Sequence, residues 1–422
     1  MCVTSHVRSI VWKQNTFSYF RIEIFMYKWL AIPPAIGLIL FDAVLSGPAG
    51  LVSHWLLFGD LILAIGLLLG QSFVVNAHKY IYLVLAFVYR CVLLSQPAFS
   101  NDTKRYLSDG LMWQSGINPY VIAPTFSNID HNSITTIYPP LAELMFWFIS
   151  LGGSVSLYPF FFGVVEFLVL VFFFGRANSK KSLQSFYFLA FLPLLVRETY
   201  REGHFEAVPV YLFLLALLFR EPIKHHCYAG MAILIKFWGI LFIPKFIKAK
   251  NFSSVIIYSL LFLFAALPLI YYSYFFEGLS GAKAYFRYWT FGQPLLTLTS
   301  GFFPLETRIL VLQLAVVVIA SFLTIRYLLT NQVFLVYLQK LLCLLFLTPV
   351  LHPWYFLIFL IPALVSRRGW FWQAALLLTG HNYICYLEPN MAFLSFLPAL
   401  PLLLLFFKIP LRLKLSFDHG KV

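Results

Sequence analysis

Apolar runs about as long as a bilayer is thick recur along almost the whole chain, divided by polar stretches that are mostly shorter than the runs themselves. Backbone in hydrocarbon must satisfy its own N–H and C=O groups, so such runs specify helices. A core ~30 Å thick takes ~20 helical residues. On that scale the sequence predicts an all-α, polytopic membrane fold of twelve spans, at 28–46, 51–73, 79–97, 155–175, 183–197, 204–220, 253–272, 308–329, 334–351, 353–366, 370–387 and 391–407. Composition leaves no soluble alternative: of 422 residues, 61% are hydrophobic and 11% charged, too little polarity to cover a globule of this size. Lys236 and Pro244 interrupt the run from Cys227 to Phe246, the pattern of a broken helix pair. Residues 141–151 follow two prolines and end at Gly152-Gly153, which predicts a short interfacial helix.

Orientation follows from the basic residues. With the N-terminus cytoplasmic, twenty of the 30 lysines and arginines fall on the inner side and seven on the outer, while Arg90, Lys236 and Lys340 lie within spans. Cytoplasmic loops carry such an excess, so both termini are expected inside and residues 98–154 outside. The net charge of +14 therefore reads as topology, with no nucleic-acid partner implied. Residues 1–25 lack the apolar core of a cleavable signal peptide, and the first span is expected to be its own insertion signal. The five cysteines are odd in number and far apart, with neither a disulfide framework nor a metal spacing. With no repeat or linker in view, residues 1–422 read as one integral-membrane domain.

The outer stretch from Pro97 to Pro140 is the one long polar interruption, and irregular backbone of this kind belongs outside the bilayer. Ser100 or Asn101 can cap a helix from about Asp102 to Gln114, with Gly116 ending it and Asn118-Pro119 enforcing a turn. Asp102, Arg105, Tyr106, Asp109 and Trp113 then share one face, with Arg105 between two carboxylates. Spacing alone is equally compatible with a surface ion ladder. Three more outer segments carry polar groups. RETYREGHFE, residues 197–206, crowds Arg197, Glu198, Arg201, Glu202, His204 and Glu206 between apolar runs; residues 273–307 hold Lys283 and Arg287; LHPWYF places His352 at a helix boundary. Inside the spans, Glu166 and Lys236 cost ~3 kcal/mol each near a helix centre and are expected to face the bundle interior.

In order along the chain, YLSDG, GINPY, TIYPPLAE, EGHFE, IKFWGILFIPKF and HPWY resemble the GT-C superfamily of integral-membrane glycosyltransferases, over residues 80–360. The likeness is nearest to polyprenol-phosphate-mannose-dependent mannosyltransferases, bacterial alpha-mannosyltransferases and the eukaryotic first mannosyltransferase of glycolipid-anchor synthesis among them. It implies transfer of a hexose, mannose by the resemblance, from a polyprenyl-phosphate sugar to a lipid-linked or glycan acceptor at the outer membrane face, in a bacterial cell membrane. An aspartate of the first large outer loop would be the base, and Asp102 matches that position. Where the family often has a paired Asp-x-Asp, this chain has Ser100, so the sequence does not support a divalent metal and no cofactor is expected.

The residue types fit that chemistry in their own right. An attacking hydroxyl must lose its proton as the phosphate departs, which calls for a carboxylate on one side and cations on the other. The candidates are Asp102 as base, with Arg105, Asp109, Tyr138, Arg197, Arg201, Glu202, His204, Arg287 and His352 binding substrate. Arg197, Arg201 or Arg287 suits the phosphate because a guanidinium offers paired donors. A single displacement inverts the anomeric centre. The rival readings are a secondary transporter or flippase, which expects polar groups near the midplane and inverted repeats, and a non-catalytic scaffold, which tolerates loss of Asp102.

Overall fold

The structure, a computed structural model, describes residues 29–44, 53–98, 100–124, 132–219, 221–236, 301–329, 352–365 and 369–378, with a few isolated positions between 256 and 299. The expected spans at 253–272, 334–351 and 391–407, and Arg287, lie outside the described residues. Every regular element among them is helical: α1 (Ile32–Val44), α2 (Ser53–Gly70), α3 (Lys79–Leu94), α4 (Asp102–Gln114), α5 (Pro140–Ser150), α6 (Leu157–Arg176), α7 (Lys180–Phe191), α8 (Pro193–Val196), α9 (Ala207–Leu218), α10 (Pro222–Ile235), α11 (Leu305–Leu329), α12 (Leu360–Val365) and α13 (Gly369–Leu378). Three stretches are long and apolar enough to cross a membrane, Asn76–Leu94, Leu157–Arg176 and Leu305–Leu323. Five shorter apolar helices accompany them, Pro140–Ser150 included.

Proline and glycine set many of the boundaries. Proline stands in the first turn of α5, α8 and α10, where its fixed φ suits a helix start and its missing N–H costs nothing. The expected span at 183–197 is broken instead. α7 stops at Phe191, Leu192 turns extended, and Pro193 restarts the chain as α8 and a π-helical turn, Arg197–Arg201. Proline cannot donate the backbone hydrogen bond that would carry α7 through, and single π turns concentrate at functional sites. α10 ends at Lys236, whose backbone is extended, at the interruption the sequence marks.

Two apolar clusters carry the packing. The larger gathers α1, α2, α3, α7, α8, α9, α12 and α13, with Tyr89, Tyr187, Phe191, Phe213 and Phe359 fully buried. The smaller joins α4, α5 and α6 through Tyr106, Phe146, Tyr158 and Phe162, and Tyr106 stacks on Phe146 with centroids 4.4 Å apart. Segment 197–206 feeds both clusters, Tyr200 into the larger and Phe205 into the smaller. Its polar residues are thereby trapped between two apolar masses, and all ten of its residues are buried.

Between spans, Arg90 of α3 meets Glu166 of α6 in a two-pronged pair, at 2.7 Å from Nε and 2.6 Å from Nη2. Tyr200 and Tyr211 donate their hydroxyls to the same carboxylate. The Glu166 side chain does face the interior, and its cation is Arg90, a pairing the sequence did not reveal.

Candidate active site

α4 forms where the caps place it. Ser100 Oγ accepts the backbone N–H of Asp102 at 3.1 Å, and Gly116, at φ 73°, closes the far end in the left-handed region that glycine adopts freely. Asp102 is thus the first helical residue, where the positive end of the helix dipole favours a carboxylate. Its side chain is one-third exposed, 32%.

The partner of Asp102 comes from a hundred residues on. Gly203 has φ +68°, and a Cβ there would stand 2.5 Å from Thr103 Cγ2 and 3.0 Å from Pro159 Cδ. Only glycine permits both the backbone and the approach. The turn delivers His204 against α4: Nε2 lies 3.2 Å from Asp102 Oδ2 and 3.2 Å from Ser100 Oγ, while Nδ1 lies 2.5 Å from Glu198 Oε2. Glu198 sits on the π turn. The result is a carboxylate–imidazole–carboxylate chain, exposed at Asp102 and sealed at Glu198.

Electrostatics follow from that chain. Burial alone would lower the His204 imidazolium, but hydrogen bonds and charge from Asp102 and Glu198 hold it well above the usual histidine range. Burial alone would raise Asp102; His204, with His352 and Lys236 beyond, overrides it and lowers the carboxyl below its ordinary value. Glu202 is pushed up to about 7, by burial and then by Glu198. It accepts the Ser100 N–H at 2.8 Å, so it fixes the residue that caps α4.

Aromatic rings line the exposed side. Trp354 lies between two imidazoles, 4.0 Å from His204 and stacked on His352 at 4.1 Å. Tyr138 meets Tyr106 at 5.4 Å and Phe205 at 5.6 Å. Lys236 Nζ, 2.6 Å from Glu206 Oε1, lies 4.7 Å from the Phe205 ring centroid and 5.6 Å from that of Tyr138.

Of the residues singled out from sequence, Asp102, His204, His352 and Tyr138 converge here. Three of the arginines, Arg105, Arg197 and Arg201, have other partners. Arg197 binds Asp42 of α1 at 2.5 Å, an acid that also takes the Tyr89 hydroxyl. Arg201 donates from Nε to the Pro97 carbonyl at 3.1 Å and lies 3.6 Å from Glu202. Arg105 turns to Asp109, 2.9 Å from both oxygens, and to the Ile134 carbonyl, where the shared face on α4 had placed it between two acids. Among the described residues, the charged groups that lower Asp102 are His204, His352 and Lys236.

A second polar knot on α4 and α5 extends the Arg105–Asp109 pair to partners that the sequence did not reveal. Asp109, Arg105, Glu143, Thr136 and Trp113 lock together, with Glu143 accepting from Thr136 at 2.6 Å and from Trp113 at 3.0 Å. Burial raises Asp109 to about 6 against the pull of Arg105, and Glu143 well above its usual range. These groups anchor the segment before Pro139, and all but Trp113 are closed to solvent. The signal was present in TIYPPLAE, where a lone acid follows a double proline at the start of an apolar helix. No group of three or more metal-ligating side chains occurs among the described residues.

No protein-family model, curated protein or solved structure matches the chain.

Proposed function

We propose that the chain is a multi-pass membrane glycosyltransferase of GT-C-like architecture, with twelve spans and the Asp102 site on the non-cytoplasmic face. It would move a hexose from a polyprenyl-phosphate sugar to a lipid-linked or glycan acceptor. The observation that carries the reading is Asp102 itself: a one-third-exposed carboxylate at a helix start, bound by the buried imidazole of His204. Its Oδ2 faces His204, which leaves Oδ1 for an incoming hydroxyl. As the acceptor oxygen bonds to the anomeric carbon, the carbon–phosphate oxygen bond breaks and its electron pair leaves with the prenyl phosphate. The hydroxyl proton passes to Asp102, and the centre inverts. Glu198 acts through His204 as a positioning residue, since its short contact to Nδ1 fixes ring and charge.

The Arg90–Glu166 pair also favours this reading over a transporter. A pathway needs intramembrane charge that a substrate can reach. Glu166 is instead consumed by Arg90 and two tyrosines, with no exposure. Asp102→Asn should lower sugar transfer from a prenyl-phospho-sugar in isolated membranes by ~10²–10⁴-fold while expression and insertion persist. Wild-type transfer by that variant would refute the base assignment.

A further inference from the structure

Glu206 and Lys236 form a pair that neither the helix packing nor the Asp102 chain explains. Lys236 sits where α10 gives way to extended backbone, so its ammonium is presented at a break. It is bound at 2.6 Å to Glu206 Oε1 and set among the rings of Phe205, Tyr138 and Tyr355, 4.7 to 5.9 Å from their centroids. About a fifth of the lysine side chain, 19%, remains open. Glu206 is 3% exposed, and its second oxygen, Oε2, has no hydrogen-bond partner. An unmet buried acceptor is unfavourable, a cost that a ligand donor can remove.

The pair adjoins the proposed reaction centre. Tyr355 links Lys236 to His352, at 5.5 Å between rings, and to Trp354, at 6.0 Å; Trp354 in turn touches His204, the partner of Asp102. From the other side, Tyr138 lies under Lys236 and against Tyr106, one turn along α4 from Asp102. The charges of Asp102 and Glu206 both bear on these two phenols.

A cation and an unfilled acceptor held side by side recognise a ligand that carries an anionic oxygen next to a hydroxyl. We propose that Lys236 and Glu206 together form the subsite for the glycosyl phosphate, Lys236 binding a phosphate oxygen and Glu206 Oε2 accepting from the sugar hydroxyl nearest the anomeric carbon. The inference rests on the glycosyltransferase reading but deepens it: a lysine takes the place expected of an arginine, and the adjacent acid separates charged from empty carrier lipid.

The test is equilibrium binding of two probes, a short-chain prenyl phosphate and its mannosyl phosphodiester, to purified full-length protein in detergent. Lys236→Met should weaken both by at least tenfold, and Lys236→Arg should restore most of the prenyl-phosphate affinity. Glu206→Gln should weaken the phosphodiester by about tenfold and leave prenyl phosphate unchanged or tighter. Asp102→Asn, although inactive, should bind both probes. The double variant Lys236→Met/Glu206→Gln removes both charges, so a monodisperse double variant that binds neither probe separates lost recognition from lost folding. The proposal falls if Lys236→Met binds prenyl phosphate like the parent, if Glu206→Gln weakens both probes equally, or if the parent binds neither. Unimpaired transfer by Asp102→Asn alongside Lys236-dependent binding would remove the base assignment and leave this subsite standing.

Discussion

Cutting one side of the Arg90–Glu166 pair should be far worse than removing it whole. Arg90 spends Nε and Nη2 on Glu166 and sends Nη1 to the carbonyls of Ala86 and Ala190, at 3.0 and 2.9 Å. Glu166→Ala strands that guanidinium at 2% exposure, and breaking a buried pair from one side costs ~3–5 kcal/mol. Tyr200 keeps its bond to the Gly163 carbonyl, but Tyr211 loses the acceptor shown for its hydroxyl, which adds ~1–3 kcal/mol. The total, about 4–8 kcal/mol, corresponds to a fall in Tm of about 10 °C, because each kcal/mol moves Tm by roughly 1–2 °C in a chain of this size. Arg90→Met/Glu166→Met leaves no charge behind, and such swaps are often near neutral, so its Tm should stay within about 4 °C of the parent. Tryptophan fluorescence melts of detergent-purified protein would read all three. A double variant that melts as low as Glu166→Ala would refute the reasoning, because removing the stranded guanidinium would then have recovered nothing.

Two other perturbations address the site. Gly203→Ala should cost ~1–2 kcal/mol for its left-handed backbone alone, and the clash with Thr103 should push His204 from Asp102; membranes should retain the protein but show at least a tenfold loss of transfer, and parental activity would contradict the geometry. Glu202→Gln addresses pH. A carboxyl raised from 4.5 to about 7 on folding makes the native state bind more protons between those values, so stability falls as pH rises through that window, by about 3 kcal/mol at most. His204, raised on folding, contributes stability that is complete below its unfolded pKa of ~6.5 and lost only as pH climbs through its higher folded value. Asp102, lowered on folding, adds stability above ~3.8 that is lost as pH falls through its lower folded value. Glu202→Gln should therefore gain on the parent in Tm from pH 5 to pH 8, and parallel curves would count against the Glu202 assignment.

Local chemistry was legible in the sequence; pairing across the bundle was not. Residues 102–114 announce their helix through Ser100 and Gly116, and Lys236 marks the end of α10, because caps and breaks act within one turn. Asp102, His204 and His352 all come from polar breaks between apolar runs that the sequence marks, and the structure brings them together. Arg197 finding Asp42, and Arg90 finding Glu166, depend on how helices are rotated and which are neighbours, which no single-helix period encodes. The π turn is the sharpest case. An extra residue in one turn re-aims Glu198 toward His204 while Arg197 goes to Asp42, and nothing in RETYREGHFE signals that shift in phase.

The tight contact at residue 203 links Asp102 to α6, a helix long and apolar enough to cross a membrane. A missing side chain lets Pro159, in the first turn of α6, rest against the same point as Thr103, beside Asp102. α6 runs for 20 residues with little of its surface covered, so lipid thickness and tilt act directly on it. Through Gly203 and through the Tyr106–Tyr158 contact, movement of that rod reaches the helix that carries Asp102. Turnover should therefore respond to acyl-chain length in reconstituted vesicles, with the membrane serving as a mechanical input to the chemistry as well as its solvent.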